Sequence, residues 1–136
     1  MTTQEQVKDV VSQVLADKAD KGGIKRVVWI GAGGSNGGNY PAQYFMEHEA
    51  TQVVSSSYTS NEFVHATPKE LDDRCVAVIC SLKATAETVE AVKKANSIGA
   101  ITIAMTGNMD TGMAKVGQYV VTYSNGDDQV LSLIHI

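Results

Sequence analysis

The residues best placed for chemistry lie at 26–38, R-V-V-W-I-G-A-G-G-S-N-G-G. Val27, Val28, Trp29 and Ile30 form a short apolar run, the pattern of a buried parallel strand. Glycines at 31, 33, 34, 37 and 38 follow, and they let the backbone approach a ligand closely. A helix is expected from about Tyr40, with its free N–H groups and positive dipole end aimed into the turn. Such a turn suits a phosphate or a carboxylate, and Ser35 adds a hydroxyl. Gly33, Gly34 and Ser35 are therefore candidate anion-binding residues.

Two other loops carry hydroxyls at expected strand ends. One is 55–62, S-S-S-Y-T-S-N-E, with Ser55 and Ser57 as candidate ligands. The other is 81–88, S-L-K-A-T-A-E-T, with Ser81, Thr85 and Thr88. Clustered hydroxyls at a helix N-terminus bind phosphate without a fixed cation, and Lys83 adds charge. One such loop is the ordinary use of Ser and Thr in caps and turns. Three at successive strand ends point to a shared polar pocket.

Two nucleotide loops fail at named positions. The dinucleotide fingerprint G-x-G-x-x-G matches Gly31 and Gly33 but meets Asn36 at its third glycine. The acid expected after the next strand is absent from 55–57. The Walker loop needs Gly-Lys-Ser/Thr, and Gly38 is followed by Asn39 and Tyr40.

The elements that position these loops follow from periodicity. Val7, Val10, Val11, Val14 and Leu15 recur at helical spacing over 4–18, after a capping box expected at Thr3 and Gln6. The run Lys21-Gly22-Gly23 should end that helix. Strands are expected at 26–31, 51–56, 75–81, 101–106 and 118–123. Helices are expected at 39–49, 60–66, 85–98 and 111–116. Thr85 caps the third of these, and Gly99 stops it. The alternation predicts βαβ units: an α/β fold, a three-layer αβα sandwich with a five-stranded, mostly parallel sheet. Ligands in such sheets bind beyond the C-terminal strand ends, near a switch in strand order.

The bulk properties exclude several classes. The chain has 136 residues, enough for one domain. Its net charge is −4, with no large basic cluster, so no nucleic-acid surface is expected. No apolar stretch is long enough to span a bilayer, and the polar, acidic N-terminus is unlike a secretory signal. No membrane partner is expected. Cys75 and Cys80 flank one strand at odd spacing, on opposite faces, and should stay reduced in a cytoplasmic protein. No Cys/His cluster has metal-ligand spacing, so no metal site is expected. Residues 131–136, L-S-L-I-H-I, break the preceding pattern. They match the translation of a transposase adapter end used in sequencing libraries, and are expected to be non-native. The expected organisation is a helix and linker at 1–23, a ligand-binding domain at 24–130 and this tail.

Residues 24–124 resemble the SIS (sugar isomerase) domain family. The turn at 31–35 resembles its first phosphosugar loop. T-A-E-T at 85–88 resembles the end of its S-x-S-G-x-T-x-E-T loop, and 98–106 the following helix end and strand. N-E-F-V-H-A-T-P-K-E-L-D-D-R-C at 61–75 resembles a stretch of fructoselysine 6-phosphate and related fructosamine-phosphate deglycases. Leu82 and Lys83 depart from the pattern, standing where a serine and a glycine are common. The resemblance implies a flavodoxin-like sheet and a phosphorylated sugar or fructosamine phosphate as ligand. It implies no metal or redox cofactor, and pairing with a second SIS domain or a homo-oligomer.

The implied activity of the parent protein is cleavage of a 6-phosphofructosyl amine to hexose 6-phosphate and an amine. The alternatives are aldose–ketose isomerisation, amino transfer, or a non-catalytic phosphosugar sensor. The family's acid/base Glu and His lie in a second SIS domain, so this chain alone is expected to be inactive. Glu62 and His65 are the weak catalytic candidates here. Glu62 serves equally as a helix-cap acid, the reading placed first. His48 reads as a solvated surface residue. Asp72, Asp73 and Arg74 read as a turn with a local ion pair, and 125–128, N-G-D-D, as a surface turn.

Overall fold

The computed structural model describes residues 2–32 and 34–123. Gly33, the 125–128 turn, His135 and the 131–136 tail lie outside the described residues.

The first helix, α1, spans Thr3–Lys18. Its cap is Thr2, whose hydroxyl accepts the Glu5 N–H at 3.1 Å, rather than the expected Thr3 and Gln6 box. Those two side chains are used elsewhere, on the last strand. Thr3 Oγ1 donates to the Thr122 carbonyl at 2.9 Å, and Gln6 Oε1 accepts the Thr122 N–H at 2.8 Å. Gly22 and Gly23 end the helical segment at φ 91° and 79°, where a side chain would be strained.

The strands are β1 (Arg26–Gly31), β2 (Val54–Thr59), β3 (Cys75–Cys80), β4 (Ile101–Thr106) and β5 (Tyr119–Thr122). They form one parallel sheet in the order β2-β1-β3-β4-β5. The other helices are α2 (Gly34–Glu49), α3 (Ser60–His65), α4 (Ala86–Ser97) and α5 (Gly112–Val116).

β3 is the central strand and is buried at every position of C-V-A-V-I-C. Its alternating side chains feed two cores. Cys75, Ala77 and Ile79 join Phe63, Ala91, Val92 and Met113 under α3, α4 and α5. Val76, Val78 and Cys80 join Val10 and Val14 of α1 on the other face. Fully burying each such valine contributes about 1.5–3 kcal/mol. The two cysteines therefore lie in different cores as free thiols. α1 and α2 cover one face and α3, α4 and α5 the other, giving the three-layer αβα sandwich.

Two boundaries differ from expectation. β2 runs 54–59 rather than 51–56, so the serine run lies inside the strand. β2 is an outer strand with one neighbour, and its hydroxyls take side-chain partners instead of a core. Trp29 Nε1 donates to Ser55 Oγ at 2.9 Å, and Arg26 donates to Ser56 Oγ at 3.1 Å. α2 begins at Gly34 rather than about 39, and it continues through Pro41. Glycine composition hid this start, because glycine is a poor helix former. Packing against β1 and β2 outweighs that propensity here.

The 72–74 turn forms, but its charges reach outward. Asp72 Oδ1 accepts the Arg74 N–H at 2.9 Å, while its ion partner is Lys25, at 2.6 Å. Asp73 pairs with Lys21 at 3.5 Å. The Arg74 guanidinium instead donates to the Gly22 and Gly23 carbonyls, each at 2.9 Å. No helix among the described residues is long and apolar enough to cross a membrane.

Candidate functional site

The strand order reverses between β1 and β3. The chain leaves β1 towards β2 on one side, and leaves β3 towards β4 on the other. The connections after β1 and β3 therefore part at their C-terminal ends and leave a crevice. A cavity of about 500 Å³ opens there, lined by Ser35, Asn39, Cys80, Leu82 and Tyr123, with Trp29 and Met105 among its walls.

Ser35 lies in the first turn of α2, where its N–H donates to the Ala32 carbonyl at 3.2 Å. Asn39 is buried and ties this helix start to the sheet. Its Nδ2 donates to the Ile30 carbonyl at 3.3 Å, and its Oδ1 accepts the Cys80 thiol at 3.1 Å. Burial pushes the Cys80 thiol up to about 12, so it stays protonated. Tyr123 lines the same crevice as Ser35, and burial likewise raises its phenol to about 12.

The β3–α4 connection forms the other wall. The end of β4 holds it in place: Ser81 N–H donates to the Met105 carbonyl at 3.0 Å, and Gly107 N–H to the Leu82 carbonyl at 3.0 Å. Ser81 Oγ accepts the Thr85 N–H at 3.2 Å. Thr85 Oγ1 lies 2.8 Å from Thr88 Oγ1, which is also 2.8 Å from Ser60 Oγ. Thr88 and Ser60 are fully buried, so this hydroxyl chain runs from the surface at Thr85 into the α3–α4 contact. Lys83 is exposed on the loop, and Ala84 takes the left-handed φ of 55°.

The expected site residues are thus only partly brought together. Ser35 lines the crevice, and Ser81 and Thr85 order its other wall. Gly34 opens α2. Ser55 stands in register with Val27, four residues before the end of β2, roughly 13 Å short of the strand's C-terminal edge. Its hydroxyl bonds Trp29 and Gln43. Ser57, in register with Trp29, lies two residues short of that edge. Sequence spacing placed both at a strand end because β2 was drawn three residues too early.

Glu62 and Thr59 form a reciprocal capping box at the start of α3. Glu62 Oε1 accepts the Thr59 N–H at 3.0 Å, and Thr59 Oγ1 accepts the Glu62 N–H at 3.2 Å. The backbone bond from Thr59 holds the Glu62 carboxyl below its ordinary range. His65 is exposed at the end of α3. His48 is exposed and stacks on Tyr44, ring centroids 4.0 Å apart. Tyr123 and Asn39 were not foreseen. Tyr123 had one readable signal, its position at the C-terminal end of an expected strand.

No family model matches the chain. Two solved structures share both fold and sequence. A candidate phosphosugar isomerase from Salmonella typhimurium LT2 superposes with a TM-score of 0.85 and 35% identity, over 93% of this chain and 37% of its own. A candidate phosphosugar isomerase from Bacillus subtilis gives 0.75 and 34%, over 78% of this chain and 33% of its own. The sheet order, the switch-point crevice and these likenesses define the chain as a sugar isomerase (SIS) domain. In sequence it is similar to the fructosamine deglycase FrlB of Bacillus subtilis (strain 168), at 36% identity over 106 residues. That match takes in 77% of this chain and 32% of the deglycase, so the chain spans about a third of that relative's length.

Proposed function

We propose that this chain is the phosphosugar-binding domain of a fructosamine 6-phosphate deglycase. The observation that carries the reading is the 36% identity to a fructosamine deglycase over 106 residues, 77% of this chain. The phosphate sits between the α2 and α4 N-termini, where free N–H groups and dipole ends favour an anion. Ser35, Ser81 and Thr85 are its hydroxyl partners. Thr88 stands behind Thr85 and fixes its orientation, and Gly33 and Gly34 complete the proposed ligand-binding set. Ser55 and Ser57 support the α2–β2 wall.

The reaction opens the sugar, moves a proton between C1 and C2 and hydrolyses the carbon–nitrogen bond. Phosphate binding remote from that bond supplies energy to position it. The cavity lining holds no carboxylate and no imidazole among the described residues. The acid and base come from the rest of the parent protein or from a partner subunit. Pairing with a second SIS domain supplies them, and exposed Val7, Val11 and Leu15 on α1 suit such a contact. Buried reduced thiols fit a cytoplasmic protein.

The test is calorimetric titration of the 136-residue chain with fructose 6-phosphate, beside an assay on fructosamine 6-phosphate. Saturable binding without turnover is expected. No binding at millimolar ligand would sink the reading, and turnover by the chain alone would overturn the division of labour. The likeness to two candidate phosphosugar isomerases supports a second reading, aldose–ketose isomerisation. Giving the intact parent protein each substrate separately decides between them.

A further inference from the structure

Three hydroxyls lie in a row behind the β3–α4 wall. Ser60 Oγ is 2.8 Å from Thr88 Oγ1, which is 2.8 Å from Thr85 Oγ1. Ser60 and Thr88 are fully buried, and Thr85 is exposed. Among the described residues, Ser60 Oγ bonds only Thr88, and Thr88 Oγ1 bonds only these two neighbours. Three hydrogens therefore serve two contacts, and one hydrogen is left over. If Ser60 accepted from Thr88, the spare hydrogen would be buried on Ser60. If Ser60 and Thr85 both donated to Thr88, it would be buried on Thr88. Either order leaves a donor without an acceptor in the core, which folded proteins avoid. One order escapes this: Ser60 donates to Thr88, Thr88 donates to Thr85, and the spare hydrogen is that of Thr85, at the surface.

We propose that Ser60 and Thr88 are positioning residues, which make the Thr85 hydroxyl an outward donor for the ionised phosphate of the sugar. This rests on the phosphosugar reading above. Thr88 is fully buried and acts only through Thr85. Thr85 holds the N-cap position of α4 but makes no side-chain cap bond. Its oxygen is turned to Thr88, so it does not close an N–H of the first turn as a capping threonine does. A threonine hydroxyl hydrogen ordinarily rotates to suit its neighbours. Orienting it before binding removes an ordering cost from the binding step. The donors also run in one direction, and each bond polarises the next. A phosphate offers only acceptors when fully ionised, so it matches a wall that offers a donor. The ligand contact of α4 is thereby tied to α3, the helix after β2.

The experiment is calorimetric titration of the full 136-residue chain with fructose 6-phosphate, with melting temperature recorded beside each Kd. Thr88→Val is expected to weaken binding about 3- to 10-fold, the range of one net hydrogen bond. Adding Ser60→Ala makes the buried contact apolar on both sides. It is expected to raise the melting temperature again while Kd stays weak, and it serves the same test if Thr88→Val alone is too unstable to titrate. Thr88→Ser keeps the hydroxyl and is expected to bind as the parent does. In a Thr85→Val background, Thr88→Val changes Kd no further. A merely structural pair would behave otherwise. Kd would recover with melting temperature in the double variant, Thr88→Ser would weaken binding as Thr88→Val does, or the Thr85 and Thr88 effects would multiply. Each of these results overturns the proposal while the phosphosugar reading stands. Absence of binding by the unaltered chain removes the phosphosugar reading and the proposal with it.

Discussion

The hydroxyls of Ser60 and Thr88 lie 2.8 Å apart with both residues fully buried, joining the first residue of α3 to the third of α4. Thr88 also meets Thr85, so one side chain serves a tertiary contact and a helix start. Thr88→Val removes the oxygen at near-constant volume and strands the Ser60 hydroxyl. The expected loss is about 1–3 kcal/mol, the cost of an unsatisfied buried polar group. Adding Ser60→Ala should recover part of it. Urea unfolding of the parent and the two variants checks this, and a Thr88→Val midpoint equal to the parent's would refute it.

Gly107 sets the height of the β3–α4 loop. A Cβ there would lie 2.8 Å from the Leu82 carbonyl oxygen, which the Gly107 N–H itself holds. Gly107→Ala must push the loop outward. About 1–3 kcal/mol of stability is expected to go with it, in the range of overpacked sites. Amide resonances of Leu82 to Thr85 should shift most. A variant whose shifts stay within two residues of 107 would show that the loop does not depend on this contact.

The Glu62 carboxyl is held low by the Thr59 N–H, and Asp72 by the hydrogen bond from Lys25. A depressed carboxyl contributes stability that is full above its unfolded value. That contribution is lost as pH falls through its folded value. Ordinary values are 4.5 for Glu62 and 3.8 for Asp72, so acid sensitivity begins below about pH 4.5. Glu62→Gln should flatten the fall in melting temperature between about pH 5 and 3. An unchanged slope would remove the capping box from the acid transition.

Both thiols are raised by burial, Cys80 to about 12. The thiolate is the reacting form, and at pH 8 roughly one Cys80 in 10⁴ carries it. Native chain should therefore release almost no thionitrobenzoate from Ellman's reagent, and unfolded chain two equivalents. Rapid reaction of one thiol in native buffer would contradict the geometry around Asn39 and Cys80.

Much of this fold is readable because each local signal agrees with the tertiary one. The apolar run 75–80 reads as a strand and forms one buried at every position, and Gly99, at φ 86°, stops α4 where it was expected. Legibility fails where tertiary partners replace local ones. Ser55–Ser57 read as a loop, yet an outer strand tolerates hydroxyls that Trp29 and Arg26 can bond. Thr3 and Gln6 match a capping box in spacing, and Thr122 claims both. The crevice was legible as a place, from the glycine turn and the βαβ alternation that puts ligands beyond the C-terminal strand ends. Its lining was less so, since only the tertiary order of the strands brings Tyr123 and Ser35 to one cavity.

The contact between α1 and β5 sets an order of events during synthesis. Gln6 and Thr122 are 116 residues apart, so α1 leaves the ribosome well before β5, the strand to which its Gln6 is bonded. At about 5–20 residues per second, that interval is roughly 6–23 s. Throughout it, Val10 and Val14 lack the β5 side of their core, including Val121. A nascent chain therefore carries a valine stripe that β3 and β4 cover only in part until β5 is released, and chaperone demand should fall further at that point.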